Sequence, residues 1–276
     1  MRAILALPVL LLSACGGGGD PYQPPAPPER PPSSASVRLS IADGRLADPG
    51  AEVPGDAGAI SFRLVPGGEG DVFAQDRVTA AGLTATMSVA TVPARWMATT
   101  ELTRAQWRAL VDASGATVER EPWAALPASL LGGAGDAAPA VNLNWNDIQA
   151  VLTAWNARAV HRLAVPTGAR WEIAARGGTA GPWAWGADES LAPLNAVLGA
   201  TGPAAVGGRP AAANGLRDTA GNAWEWVADG GSGGGPCLRG GAWNDSALSA
   251  QSGNRLDCPP GVRHPAAGVR LILETP

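Results

Sequence analysis

The chain has 276 residues, 46% of them hydrophobic and 16% charged, which suits one large globular core or two small ones and is too apolar for a disordered chain. Its formal net charge is -4 and all 20 of its cationic side chains are arginine, with no basic stripe to neutralise phosphates, so composition argues against nucleic acid as a partner. Eleven Trp stand against two Phe and one Tyr, and because a buried indole N–H needs an acceptor, the positions of the tryptophans guide the reading.

The first 14 residues read as a signal peptide. Arg2 precedes an apolar run from Ile4 to Leu12 that is far shorter than the roughly 20 residues of a spanning helix, and Ser13-Ala14 supply the small residues of a cleavage site. The string Leu12-Ser13-Ala14-Cys15 resembles the lipobox of bacterial lipoproteins, which makes Cys15 the acylated first residue of the mature chain. A four-glycine run and the proline-rich stretch from Pro21 to Pro32 then form a tether over 15–36 with no core of its own. A cell-envelope location follows, with membrane contact through the N-terminal lipid. Gly16 rather than Asp after the cysteine favours the outer over the inner membrane by resemblance to sorted lipoproteins.

Beyond the tether, Val37 to Ile41 and Ile60 to Val65 are short apolar runs bounded by Gly, Pro and Asp, and they predict strands. Residues 37–59 are read as an N-terminal strand and linker, and 60–276 as one domain without internal repeats. Three helices are predicted. Thr103 with Gln106 three residues on forms a capping box, and Leu102 with Trp107 a hydrophobic staple. Asn144 caps a second segment in which Ile148, Val151, Leu152 and Trp155 follow helical spacing. Thr167 caps a third that ends near Arg176, where Gly177-Gly178 supply a left-handed stop. The remainder is rich in Gly, Pro and Asn and predicts strands and long loops.

Four collinear stretches carry a family resemblance: Glu101-Leu102-Thr103; Pro166 to Gly178, containing Trp171-Glu172; Gly215 to Trp226, containing Gly221-Asn222-Ala223-Trp224-Glu225-Trp226; and Arg239-Gly240-Gly241-Ala242-Trp243, closed by Gly268-Val269-Arg270. In order and content they resemble the formylglycine-generating enzyme, or sulfatase-modifying-factor, family. The resemblance implies an α+β, C-type-lectin-like fold: a small antiparallel sheet, two main helices and much ordered loop. Independently of that name, Trp171, Trp224, Trp226 and Trp243 beside small residues read as core builders, and Arg176, Arg239 and Arg270 as struts between loops.

The resemblance also implies a structural Ca2+ held by Asp218, the carbonyls of Gly221 and Ala223, and Glu225. Two carboxylates seven residues apart around a tight turn suit that hard cation; the alternative makes Asp218 a turn residue and Glu225 an arginine partner. Formylglycine formation in the family uses two cysteines downstream of the Arg-Gly-Gly strand, as soft ligands for Cu(I). Here Trp243 to Arg255 contains no cysteine, so no catalytic residue and no copper is expected. Cys237 and Cys258 are candidates for a disulfide, with a free Cys258 as the alternative. His161 and His264, the only histidines, read as loop or surface residues.

The function expected is therefore ligand binding to a protein, small molecule or glycan. The candidate face runs from Asn244 to Ala267, with Trp243, Asn244, Asp245, Ser246, Ser249, Gln251, Asn254, Arg255, Arg263 and His264 as contact residues. In position this segment also resembles the variable region of proteins diversified by retroelements. The alternative is a formylglycine-generating or related metal-dependent oxidoreductase.

Overall fold

The computed structural model describes residues 36–42, 45–47, 58–73 and 87–274. The predicted signal peptide, Cys15 and the tether up to residue 35 lie outside these residues. The strands are β1 Ser36–Ser40, β2 Leu46–Ala47, β3 Ala59–Val65, β4 Gly68–Phe73, β5 Met87–Val92, β6 Arg95–Ala98, β7 Arg162–Ala164, β8 Trp224–Val227, β9 Cys237–Arg239, β10 Arg255–Leu256, β11 Ala267–Gly268 and β12 Ile272–Glu274. The helices are α1 Arg104–Ser114, α2 Trp145–Asn156, α3 Gly168–Ala175 and the single turn α4 Ala192–Asn195, with short 3₁₀ turns between them.

Six strands form an antiparallel sheet in the order β2-β1-β3-β6-β12-β7. β1, placed by sequence in a segment ahead of the domain, is an integral strand: Val37 faces Phe62 across the ladder, and Leu39 is fully buried in the main core. Alternation is the physical reason, since a strand that turns Leu39 inward gains more by pairing than as solvated linker. The chain closes on itself where β12 enters between β6 and β7. Consecutive residues of β12 then face opposite layers: Leu273 packs in the main core with Trp107 of α1 and Trp155 of α2, while Ile272 packs with Met97, Leu216 and Ala174 of α3. β7 ends the sheet, and its exposed edge is blunted by Asn156, whose amide accepts from Leu163 N (2.8 Å) and donates to Leu163 O (2.9 Å).

The three predicted helices form with their predicted caps. Thr103 and Gln106 exchange both capping-box bonds, and Gly115 ends α1 in the left-handed region at φ 67°. Asn144 accepts from Asp147 N at the start of α2, and Thr167 from Arg170 N at the start of α3. The hairpin of β4 and β5 is not legible in the sequence, because four of the six residues of its first strand are glycine or acidic and it shows no apolar alternation.

A second sheet, in the order β10-β9-β8-β11, carries the Gly-Asn-Ala-Trp-Glu-Trp and Arg-Gly-Gly segments. One of its faces receives α3, with Val227 and Cys237 packed on Trp171 and Ala175. The other places Trp224, Trp226, Leu238 and Leu256 against the main core. Period-two alternation along β8 and β9 thus separates an apolar face from one that presents Glu225 and Arg239.

Candidate ligand site

Two buried ion-pair groups hold the loops around the second sheet. Glu172 of α3 is fully buried and accepts from Arg176 (2.7 Å) and from Arg239 of β9 (3.0 Å). The same Arg239 Nη1 reaches the carbonyls of Ser252 (3.2 Å) and Gly253 (3.4 Å). Glu225 of β8 accepts from Arg270 (2.7 Å) and from the Trp171 indole (2.5 Å), while Arg270 also donates to Ala98 O, Arg217 O and Asp218 O. Of the three arginines that sequence marks as struts, Arg239 and Arg270 bridge distant parts of the chain, and Arg176 ties Glu172 to Gly181 O (2.6 Å) just beyond α3. Gly240 and Gly241, at φ 92° and 74°, let the chain turn beneath them; a Cβ would meet the Trp171 ring at 3.0 Å from Gly240 and Ala250 at 2.9 Å from Gly241.

From this frame the chain emerges at Trp243 and runs over the surface to residue 264. Its early part is fixed by Ala200 N to Trp243 O (2.7 Å), Gly199 N to Asp245 O (3.2 Å) and the Trp183 indole to Ala247 O (3.0 Å). It encloses a cavity of ≈ 460 Å³, within the range of about 300–1,000 Å³ for small-molecule sites. Seven residues expected there line it: Asn244, Asp245, Ser246, Ser249, Asn254, Arg255 and His264. A larger recess of ≈ 510 Å³ lies between α2 and β7, and none of the expected contact residues lines it.

Three expected contact residues are placed elsewhere. Trp243 is a core residue at 2% exposure, with no acceptor for its ring N–H among the described residues. Arg263 turns away to pair with Asp147 and to donate to Asn142 O, anchoring the segment to α2. Gln251 is half-buried outside the cavity wall. For Trp243 core burial, and for Arg263 the pairing with Asp147, outcompetes the surface position that loop membership suggests. Trp224, Leu248 and Leu256 line the cavity without having been expected to; for Trp224 the signal was its place at the start of β8, beside the parallel strand β11.

The disulfide expectation is corrected, because Cys237 and Cys258 are both free and buried. Pairing of Leu238 with Leu256 sets Cys237 in register with Asp257, one residue short of Cys258. A one-residue offset puts the two side chains on opposite faces, and each sulfur belongs to a different core cluster. Neither cysteine lines the cavity, and burial pushes the Cys237 thiol up to about 11. Glu225 is likewise the arginine partner of the alternative reading, not an uncommitted cation ligand. Around it, Glu101 and Asp218 are buried beside the same Arg270. Glu101 Oε1 accepts from Asn222 (2.9 Å), whereas its Oε2 has no hydrogen-bond partner among the described residues. Burial, reinforced by Asp218, pushes Glu101 well above the usual carboxylate range, and burial raises Asp218 too. Glu101, Asp218 and Glu225 thus crowd around Arg270, with Arg217 also acting on Asp218, and carboxylate and carbonyl oxygens are the ligand type a hard cation takes.

A loop-rich sheet-and-helix scaffold that presents one irregular segment over an open cavity defines a C-type-lectin-like domain. The profile of the Sulfatase-modifying factor enzyme 1-like domain matches residues 57–275, and the chain belongs to that family. Formylglycine-generating enzymes of Mycobacterium tuberculosis and Streptomyces coelicolor are 39% identical over 77 residues (23% of this chain, 26% of that protein) and 38% identical over 108 residues (33% and 32%). The matched stretches thus span only about a quarter to a third of those relatives. In fold, the chain is similar to Treponema denticola variable protein 1 (TM-score 0.64, 20% identity, 78% of this chain and 95% of that one). It is also similar to PvdO from Pseudomonas aeruginosa (TM-score 0.65, 23% identity, 82% and 100%).

Free thiols on opposite faces lead to a direct expectation. In a Cys15→Ser chain, N-ethylmaleimide should add twice after denaturation without reductant and leave Cys237 unlabelled in the native protein at pH 8, where the buried thiol stays protonated. Labelling of the denatured chain only after reduction would show a bridge.

Proposed function

We propose that this chain is an exported, lipid-anchored binding protein of the cell envelope, in which the family's domain serves recognition and not catalysis. The observation that carries this reading is the cavity itself: its wall holds amides, hydroxyls, an indole and one imidazole, but no thiol. A Cu(I)-dependent oxidation needs soft sulfur ligands at the reacting centre. Both cysteines of the domain are spent in separate core clusters. The anchor is supported by the short apolar N-terminus that ends at Cys15 and by the proline-rich spacer after it. Likeness in fold to a variable protein supports recognition through the same segment, including its diversification by a retroelement.

The enzymatic alternative is tested by incubating the protein with Cu(I), oxygen and a cysteine peptide of the sulfatase type, and reading the peptide mass. No conversion to formylglycine is expected. Turnover that disappears on Cys237→Ser or Cys258→Ser would establish the oxidoreductase. The anchor is tested by fractionation: Cys15→Ser should move the protein from the detergent phase into the soluble fraction, and identical partitioning of both forms would remove the lipid from the account.

We further propose that calcium occupies the acidic group around Asp218 and the Gly221 and Ala223 carbonyls, and that its contribution there is structural. Binding to the native state alone stabilises by about 2.7 kcal/mol at a hundredfold excess over the dissociation constant. A chelator should therefore lower the melting temperature of the wild type but not of Asp218→Ala. An unchanged wild-type melting temperature would exclude a stabilising metal.

A further inference from the structure

We propose that the cavity under the 244–264 segment takes an uncharged, hydroxyl-rich ligand, a neutral saccharide unit, an assignment that rests on reading this cavity as the ligand site.

Charge narrows the class first. The ionisable side chains of the wall are Asp245, Arg255 and His264. Burial lowers His264 below its ordinary value, with Asp245 opposing, so the imidazole is neutral at physiological pH. One carboxylate and one guanidinium then cancel. A phosphate or sulfate site would need converging cations or N–H groups, and a multivalent cation would need more than the single carboxylate present here. A neutral ligand satisfies the wall without stranding a charge.

Hydrogen-bond valence narrows it further. Ala266 N donates to His264 Nδ1 (3.3 Å), which leaves the proton of the neutral ring on Nε2, so this wall residue is a donor. Asp245 commits Oδ2 to Ala242 N (2.8 Å), and its other oxygen is an acceptor with no protein hydrogen bond among the described residues. Asn244 is exposed and brings a donor and an acceptor on one side chain, and Ser246 a hydroxyl. Such a mixture of donors and acceptors matches groups that both donate and accept, as hydroxyls do. Trp224, Leu248 and Leu256 supply the apolar remainder of the wall. A pyranose has this same division, a C–H face to pack on indole and a rim of hydroxyls.

The test uses the full-length chain in a sugar-free detergent, applied to an array of neutral, sialylated and sulfated oligosaccharides, with titration calorimetry of the hits. The same protein is screened against a fragment library of organic acids, amines and short peptides by ligand-observed NMR. Expected are neutral oligosaccharide hits whose affinity is insensitive to about 0.5 M NaCl. Asn244→Ala should weaken them about tenfold, the loss of roughly one good hydrogen bond, and Asn244→Trp should abolish them by filling the mouth. Melting temperature checks that both variants are folded. If only acidic glycans bind, or if only fragments bind, and Asn244→Trp displaces them, the saccharide class is overturned while the cavity remains the ligand site. If nothing binds, or if binding survives Asn244→Trp, the cavity itself is overturned as the site.

Discussion

Everything around the candidate site depends on one constraint: two carboxylates, Glu172 and Glu225, are removed from water and must be paired. Each takes an arginine from a distant part of the chain, Arg239 and Arg270 respectively. Leaving either carboxylate buried without its partner costs about 3–5 kcal/mol, a large share of the roughly 5–15 kcal/mol that holds a typical domain together. The strands of the second sheet are only two to four residues long, so ladder hydrogen bonds alone cannot fix its geometry. Charged side chains that reach loop carbonyls do that instead. Arg270 ties the end of the chain to Ala98, Arg217 and Asp218, and Arg239 ties β9 to Ser252 and Gly253.

That arrangement separates scaffold from surface. The paired carboxylates and the two glycines of Arg-Gly-Gly line no part of the cavity, whose wall is held by local bonds: Ala242 N to Asp245, Ser246 with Ser249, and Asn254 to the Leu248 and Ser249 carbonyls. Asn244 and Ser246 can change without disturbing a buried pair. The frame rests on Glu, Arg, Trp and Gly at fixed places, whereas the segment over the cavity carries one cysteine, Cys258, whose side chain is packed in the main core and does not line the cavity.

The parts of the structure that sequence discloses are those encoded locally. The capping box of α1, the N-caps of α2 and α3 and the helical spacing are set within a dozen residues each, and they form as read. The strut arginines are legible because a guanidinium among Gly, Trp and carboxylates has few other uses. What sequence does not disclose depends on register between distant segments. The faces of Cys237 and Cys258 follow from the pairing of Leu238 with Leu256, and Arg263 leaves the cavity because Asp147 lies across the fold. β1 joins the sheet because Leu39 finds a place in a core built almost entirely by later residues. The cavity residues were found as a segment, and the opposite wall, Trp224, was not, because it arrives from another strand.

The Glu172–Arg239 pair holds the segment over the cavity in place through the Ser252 and Gly253 carbonyls that Arg239 also reaches. Hydrogen–deuterium exchange of Glu172→Gln against wild type measures this most directly. Weakening the acceptor of Arg239 should raise exchange selectively over residues 242–256 while α1 and α2 keep their protection. Unchanged protection over 242–256, or a loss spread evenly across the whole domain, would contradict it.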